Sequence, residues 1–179
     1  MGWVFGFNGE QEKQYSTSLD SSTKVNGRYS LCIAKIGTAG NYGVAYYNIP
    51  KSFQGKEITL KGYLKTEQVS GFAGLWLRLD GYNSILAFDN MQNKHISGTT
   101  EFKEYSITLP YDDTKALKIV TGALLQGSRK LWADNMRLFI DGKPIDQAKQ
   151  KIIRLLPAES DTSFVSASRL DTVSLNEKS

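Results

Sequence analysis

Trp76, Arg78 and Asp80 occupy every second position of the stretch Gly71–Asp80, GFAGLWLRLD. Side chains of an extended strand alternate between faces and recur about every 7 Å on one side. An indole, a guanidinium and a carboxylate therefore stand in a row, while Ala73, Leu75, Leu77 and Leu79 make an aliphatic core face. Polyhydroxylated ligands use this mixture, with an aromatic face against the C–H side of a sugar ring and charged groups bonding its hydroxyls. A peptide could use the same groups. Lys61 and Tyr63 lie on the wet side of the preceding segment, Glu57–Thr66, which is expected to pair with Gly71–Asp80 and extend the surface. The competing reading is structural: Arg78 and Asp80 bond to neighbours, and Trp76 covers a sheet face, because cross-strand ladders of this kind stabilise sheets.

Two carboxylate–amide pairs, Asp89-Asn90 and Asp134-Asn135, fall at predicted strand ends. Such oxygen ligands suit calcium, and Asp134 is the candidate ligand, although turn-forming Asx residues are the favoured account of both pairs. Gly122–Gly127, followed by Ser128-Arg129-Lys130, lacks the Gly-Lys-Ser/Thr ending of a phosphate loop and reads as a strand and a turn. The single Cys32 sits between Leu31 and Ile33. That excludes an intramolecular disulfide and a cysteine zinc cluster, and points to a buried thiol. The single His95 lies in a polar loop, and no serine sits in a nucleophile elbow. No catalytic triad is expected, so this stretch of protein reads as a non-enzyme.

The elements that must carry these residues are short alternating strands. Arg28–Ile36, Val44–Ile49, Glu57–Thr66, Gly71–Asp80, Ile85–Phe88, Tyr105–Leu109, Ala116–Leu125 and Leu131–Ile140 are the candidates, most of them ending near Gly, Pro or Asn/Asp turn signals. Gly2–Phe7 is a further apolar candidate, Tyr15–Leu19 a weaker one, and Gln92–Thr100 reads as a polar loop. No helical period occurs before residue 145. The pattern predicts an all-β jelly-roll β-sandwich over residues 1–145 with an extension or linker over 146–179. Asp146–Leu156 is either a short helix or a strand pair. The Ser-, Thr- and Asp-rich tail either links to a missing downstream domain or folds back on the sandwich.

The net charge of +4 is spread among 22 basic and 18 acidic residues without a basic stripe, so no nucleic-acid partner is expected. No run approaches the roughly 18 apolar residues of a membrane span. Met1-Gly2-Trp3 opens straight into an expected strand and does not read as a basic-then-apolar signal peptide, so a cytosolic protein or an exported one whose leader has been removed is expected.

Gly74–Met91 and Gly122–Ile145 together resemble the N-terminal β-sandwich region of Bacteroidetes-type serine peptidases of the C-terminal-processing/tricorn-like family. The run Leu-Trp-Ala-Asp-Asn-Met-Arg-Leu, residues 131–138, is also similar to the last strand of galactose-binding-like carbohydrate-binding modules. Ala158–Phe164 looks like the connector into the catalytic part. The resemblance spans Trp3–Phe164 and implies an exported multidomain parent (periplasmic, cell-surface or extracellular) with its catalytic domain beyond Ser179. It also implies a structural calcium near Asp134, although Ser128-Arg129-Lys130 departs from the Gly-rich turn and Asp134-Asn135 keeps only one acid. The resulting expectation is a non-catalytic accessory module binding glycan or peptide around Trp76, Arg78, Asp80, Tyr63 and Lys61. The alternative is a ligand-free interdomain scaffold, its Trp76 face covered by a peptidase domain.

Overall fold

The computed structural model describes residues 14–49 and 52–151. The sequence-predicted strand Gly2–Phe7 and the tail beyond residue 151 lie outside them. The strands run β1 (Tyr15–Asp20), β2 (Ser30–Lys35), β3 (Tyr42–Ile49), β4 (Ser52–Phe53), β5 (Glu57–Asp80), β6 (Ile85–Asp89), β7 (Ile96–Pro110), β8 (Lys118–Gln126), β9 (Lys130–Ile140), β10 (Lys143–Pro144) and β11 (Gln150–Lys151). Helical structure among the described residues is one 3-10 turn, Gln92–Lys94.

One strand holds the fold together. β5 runs unbroken for 24 residues and joins two layers. Its first half pairs with β7 on one side and β9 on the other, and β9 continues to β2 and β1. Its second half pairs with β6 and β8, and β8 continues to β3. The result is an all-β sheet curled into a jelly-roll β-sandwich. In the first half Ile58, Leu60 and Leu64 face inward; in the second Ala73, Leu75, Leu77 and Leu79 do. The inward parity thus changes from even to odd. Register shifts between Leu64 and Ala73, with Gln68 at φ 49°, supply the extra residue that flips it, as β-bulges do. The two inward rows meet in one core with Ile33, Ile107, Ile119, Leu125, Leu131 and Ile140.

Two expectations change here. Glu57–Thr66 and Gly71–Asp80 are not paired neighbours but successive halves of one strand in opposite layers. Residues 96–100, expected as loop, begin β7, because Ile96 is buried opposite Ala73 and anchors them to β5. Tyr15–Leu19 is part of β1, and Cys32 is buried in β2, where loss of solvent pushes its thiol pKa up. Within Asp146–Leu156 the described residues form a turn and then β11, which pairs with β4; the strand-pair alternative applies up to residue 151.

The end of β1 is tied to β9 by Asp20. Its carboxylate accepts from Ser22 Oγ at 2.7 Å, Trp132 Nε1 at 2.8 Å, and the Thr23 and Ser22 amides. These donors, the Ser22 hydroxyl foremost and then the Trp132 indole, hold its pKa well below the ordinary carboxylate value. A group with a depressed folded-state pKa stabilises above its unfolded pKa and loses that contribution as pH falls through the folded value. Acid titration followed by Trp fluorescence is therefore expected to show a loss of stability beginning below about pH 4. Asp20→Asn is expected to be weaker at neutral pH and to lose less on acidification; an identical acid profile in the variant would refute the assignment.

Candidate functional site

The outward face of the β3–β8–β5–β6 layer is built in rows fixed by register. Tyr42, Gln126 and Phe72 make one row; Val44, Leu124 and Gly74 the next; Tyr46, Gly122 and Trp76 the third; Asn48, Val120, Arg78 and Phe88 the fourth. Lys118 stands opposite Asp80 at the end. The bounded space above these rows is a groove of about 590 Å³, reached also by Asn90 and Gln92 from beyond β6.

Glycine at position 122 opens the middle of the floor. With no side chain there, the Trp76 indole leans over β8 toward Tyr46, their ring centres 6.1 Å apart, and meets Phe88 edge-on at 6.3 Å. Trp76 is therefore only 9% exposed, whereas Phe88 is 51% exposed. The sequence places Trp76 on the right face but not its role: it is the floor, and the more open aromatic surface is Phe88. The indole N–H is buried without a hydrogen-bond partner.

Around this floor stand four carboxamides, Asn48, Asn90, Gln92 and Gln126. Asn90 Oδ1 accepts from the Gln92 amide at 3.1 Å in an Asx turn. The side chains of Asn48, Gln92 and Gln126 have no hydrogen-bond partner among the described residues. Each can both donate and accept.

Arg78 and Asp80 pair along their own strand. Arg78 Nη2 donates to Asp80 Oδ2 at 3.1 Å; Nε lies 2.8 Å from Oδ1 but is too bent for a hydrogen bond. Lys118 Nζ reaches the same Oδ2 at 3.0 Å. Two cations thus share one carboxylate at one end of the groove, beside a smaller depression lined by Gly81, Asn83, Ser84 and Ile85.

Trp76, Arg78 and Asp80 are brought together as expected. Lys61 and Tyr63 are not with them, because the bulges in β5 carry the first half of the strand into the other layer. Lys61 Nζ lies over the Phe139 ring, 5.3 Å from its centre, and Tyr63 stands between Asp134 and Glu104 in register. The other groove residues come from β3, β6 and β8. Their alternation was visible in the sequence, but which strands adjoin β5 was not.

Asp134 is 8% exposed. Its Oδ2 accepts from the Val25 amide at 2.6 Å and the Asn26 amide at 3.2 Å, and its Oδ1 from the Asn135 amide at 2.6 Å. Oδ2 already accepts from two N–H donors, Oδ1 from one, and no three His, Cys, Asp or Glu side chains converge among the described residues. The donor set does not fit calcium. Asp134 anchors the 21–29 loop. Asp89 is likewise engaged, accepting from the Met91 amide at 2.7 Å.

No family model matches the chain. It is 30% identical over 139 residues to the uncharacterized HTH-type transcriptional regulator YbfP of Bacillus subtilis (strain 168), a match covering 75% of this chain and 46% of that protein. The chain thus spans about half the length of this curated relative. A putative sugar binding protein from Bacteroides thetaiotaomicron superposes with TM-score 0.58 at 9% identity, over 78% of this chain and 87% of the other. A family 16 carbohydrate binding module gives TM-score 0.52 at 11% identity, over 72% and 88%. The fold is carbohydrate-binding-module-like. A Stig cyclase from Fischerella sp. TAU shares it with TM-score 0.53 at 12% identity, over 76% and 83%, so this carbohydrate-binding-module-like sandwich also carries catalysis elsewhere.

Proposed function

We infer that the chain is a non-catalytic binding module that takes a carbohydrate in the groove above Trp76. The observation that carries this reading is the ring of carboxamides, three without partners, around an aromatic and aliphatic floor. A sugar presents hydroxyls at its rim and C–H groups on its faces, and matches both. The groove volume falls within the usual range for small-ligand sites, about 300–1,000 Å³. The solved structures described as sugar-binding or carbohydrate-binding support the reading through fold alone. An accessory role in a larger exported protein fits it, as does an interdomain scaffold if the groove is covered.

The YbfP match favours a second setting for the same groove. A helix-turn-helix consists of helices, whereas most of the 139 matched residues must fall on the strands described above. The sandwich would then be the effector-sensing part of a regulator, and a DNA-binding neighbour is better supported than the peptidase implied by the sequence resemblance.

Calorimetric titration with neutral and acidic oligosaccharides tests the groove. At least one is expected to bind saturably, and the Phe88→Ala and Asn48→Ala/Gln126→Ala variants are expected to weaken it about tenfold or more without changing the fold. Absence of saturable binding across the panel overturns the reading.

A further inference from the structure

We propose that the groove ligand carries an anionic group, a carboxylate or a phosphate, seated against Arg78 and Lys118. This rests on the carbohydrate reading and specifies which end of the groove holds what.

The charges that line the groove are both positive, Arg78 and Lys118; every other lining residue is neutral. Asp80 sits just beyond, in the adjoining depression, and cancels one of the two. It also fixes their positions. The carboxylate holds the Nε–Nη2 edge of Arg78 and one Lys118 N–H, which leaves the other Nη donors and two ammonium donors for another acceptor. Arg78 Nε is buried 2.8 Å from Oδ1, so the guanidinium donors left for a ligand are the remaining Nη N–H groups.

A neutral sugar needs no such end. The idle amides already match hydroxyls, whereas two partly exposed cations (side chains 33% and 40% exposed) with one shared counter-charge attract a negative group. Phe88, opposite Arg78 in register, would hold the face of the ring that bears this group.

The test titrates the full chain with three ligand sets: neutral hexose oligomers, hexuronic-acid oligomers of equal length, and hexose phosphates. Calorimetry is run on wild type, Lys118→Gln and Lys118→Arg. Lys118 is exposed enough that both variants should fold, which melting curves check. The expected result is at least a tenfold preference for one acidic set over the neutral set. That preference is expected to fall severalfold in Lys118→Gln and at high salt, and to be kept in Lys118→Arg. The acidic set that binds tighter separates carboxylate from phosphate. Equal binding of neutral and acidic ligands, or an acidic preference untouched by Lys118→Gln, overturns this inference while leaving the carbohydrate groove standing. No binding by any set removes both.

Discussion

Gly122→Ala is expected to cost about 3 kcal/mol or more and to lower the melting temperature by roughly 6–12 °C, a large effect for one methyl group. A Cβ at 122 would overlap the Ala45 carbonyl oxygen and come within 2.9 Å of Tyr46 Cα and 2.8 Å of Trp76 Nε1. Two of these neighbours are the backbone of β3, which is held to β8 by register and cannot turn aside as a side chain can. The methyl group would push β3 off the sheet and lift Trp76 from the floor, so ligand binding is expected to fall with stability. Gly98→Ala is the control. Gly98 has φ 70° but nothing within 4 Å of the added carbon, so that change carries only backbone strain, of order 1 kcal/mol. Similar melting temperatures for the two variants would refute the close-approach explanation.

Asp134→Ala is expected to destabilise by about 3 kcal/mol, because it removes the charged acceptor of three backbone amides at a nearly buried site. The 21–29 loop is expected to become the first site of proteolytic cleavage. Chelator, by contrast, is expected to leave the wild-type melting temperature unchanged, since both oxygens already accept from protein donors. A chelator-induced drop would show that a metal binds the folded state and that the loop-anchor account is incomplete.

The contrast between these two positions shows what could be read from the chain. The alternation Ala73-Leu75-Leu77-Leu79 against Trp76-Arg78-Asp80 was legible because strand periodicity is local, and it placed the groove residues Trp76 and Arg78 on one face with Asp80 just beyond them. Lys61 and Tyr63 misled for an equally local reason. The parity of β5 changes between Leu64 and Ala73 at a bulge whose positive-φ residue is Gln68, and glutamine gives no turn signal. Phe88, Asn48 and Gln126 were invisible as groove residues because register between distant strands is set by the packed core, not by neighbours in sequence. Asp134 was read as a candidate calcium ligand; the amides it accepts from, Val25 and Asn26 among them, could not be read, because these two are more than a hundred residues away and backbone amides leave no trace in composition.

The continuous β5 also constrains how the protein can be made. β2 pairs with β9, and the Tyr15 hydroxyl donates to the carbonyl of Gly127, so the layer that begins the described chain waits for its far end. Until β7, β8 and β9 have been synthesised, β5 offers bare hydrogen-bonding edges along two dozen residues and the uncovered row Ala73, Leu75, Leu77, Leu79. Folding dominated by such long-range pairings runs on the millisecond-to-second scale. During translation β5 is accordingly the segment most exposed to pairing with another copy of itself. Yield of soluble protein should then depend on how quickly the ribosome delivers residues 96–140.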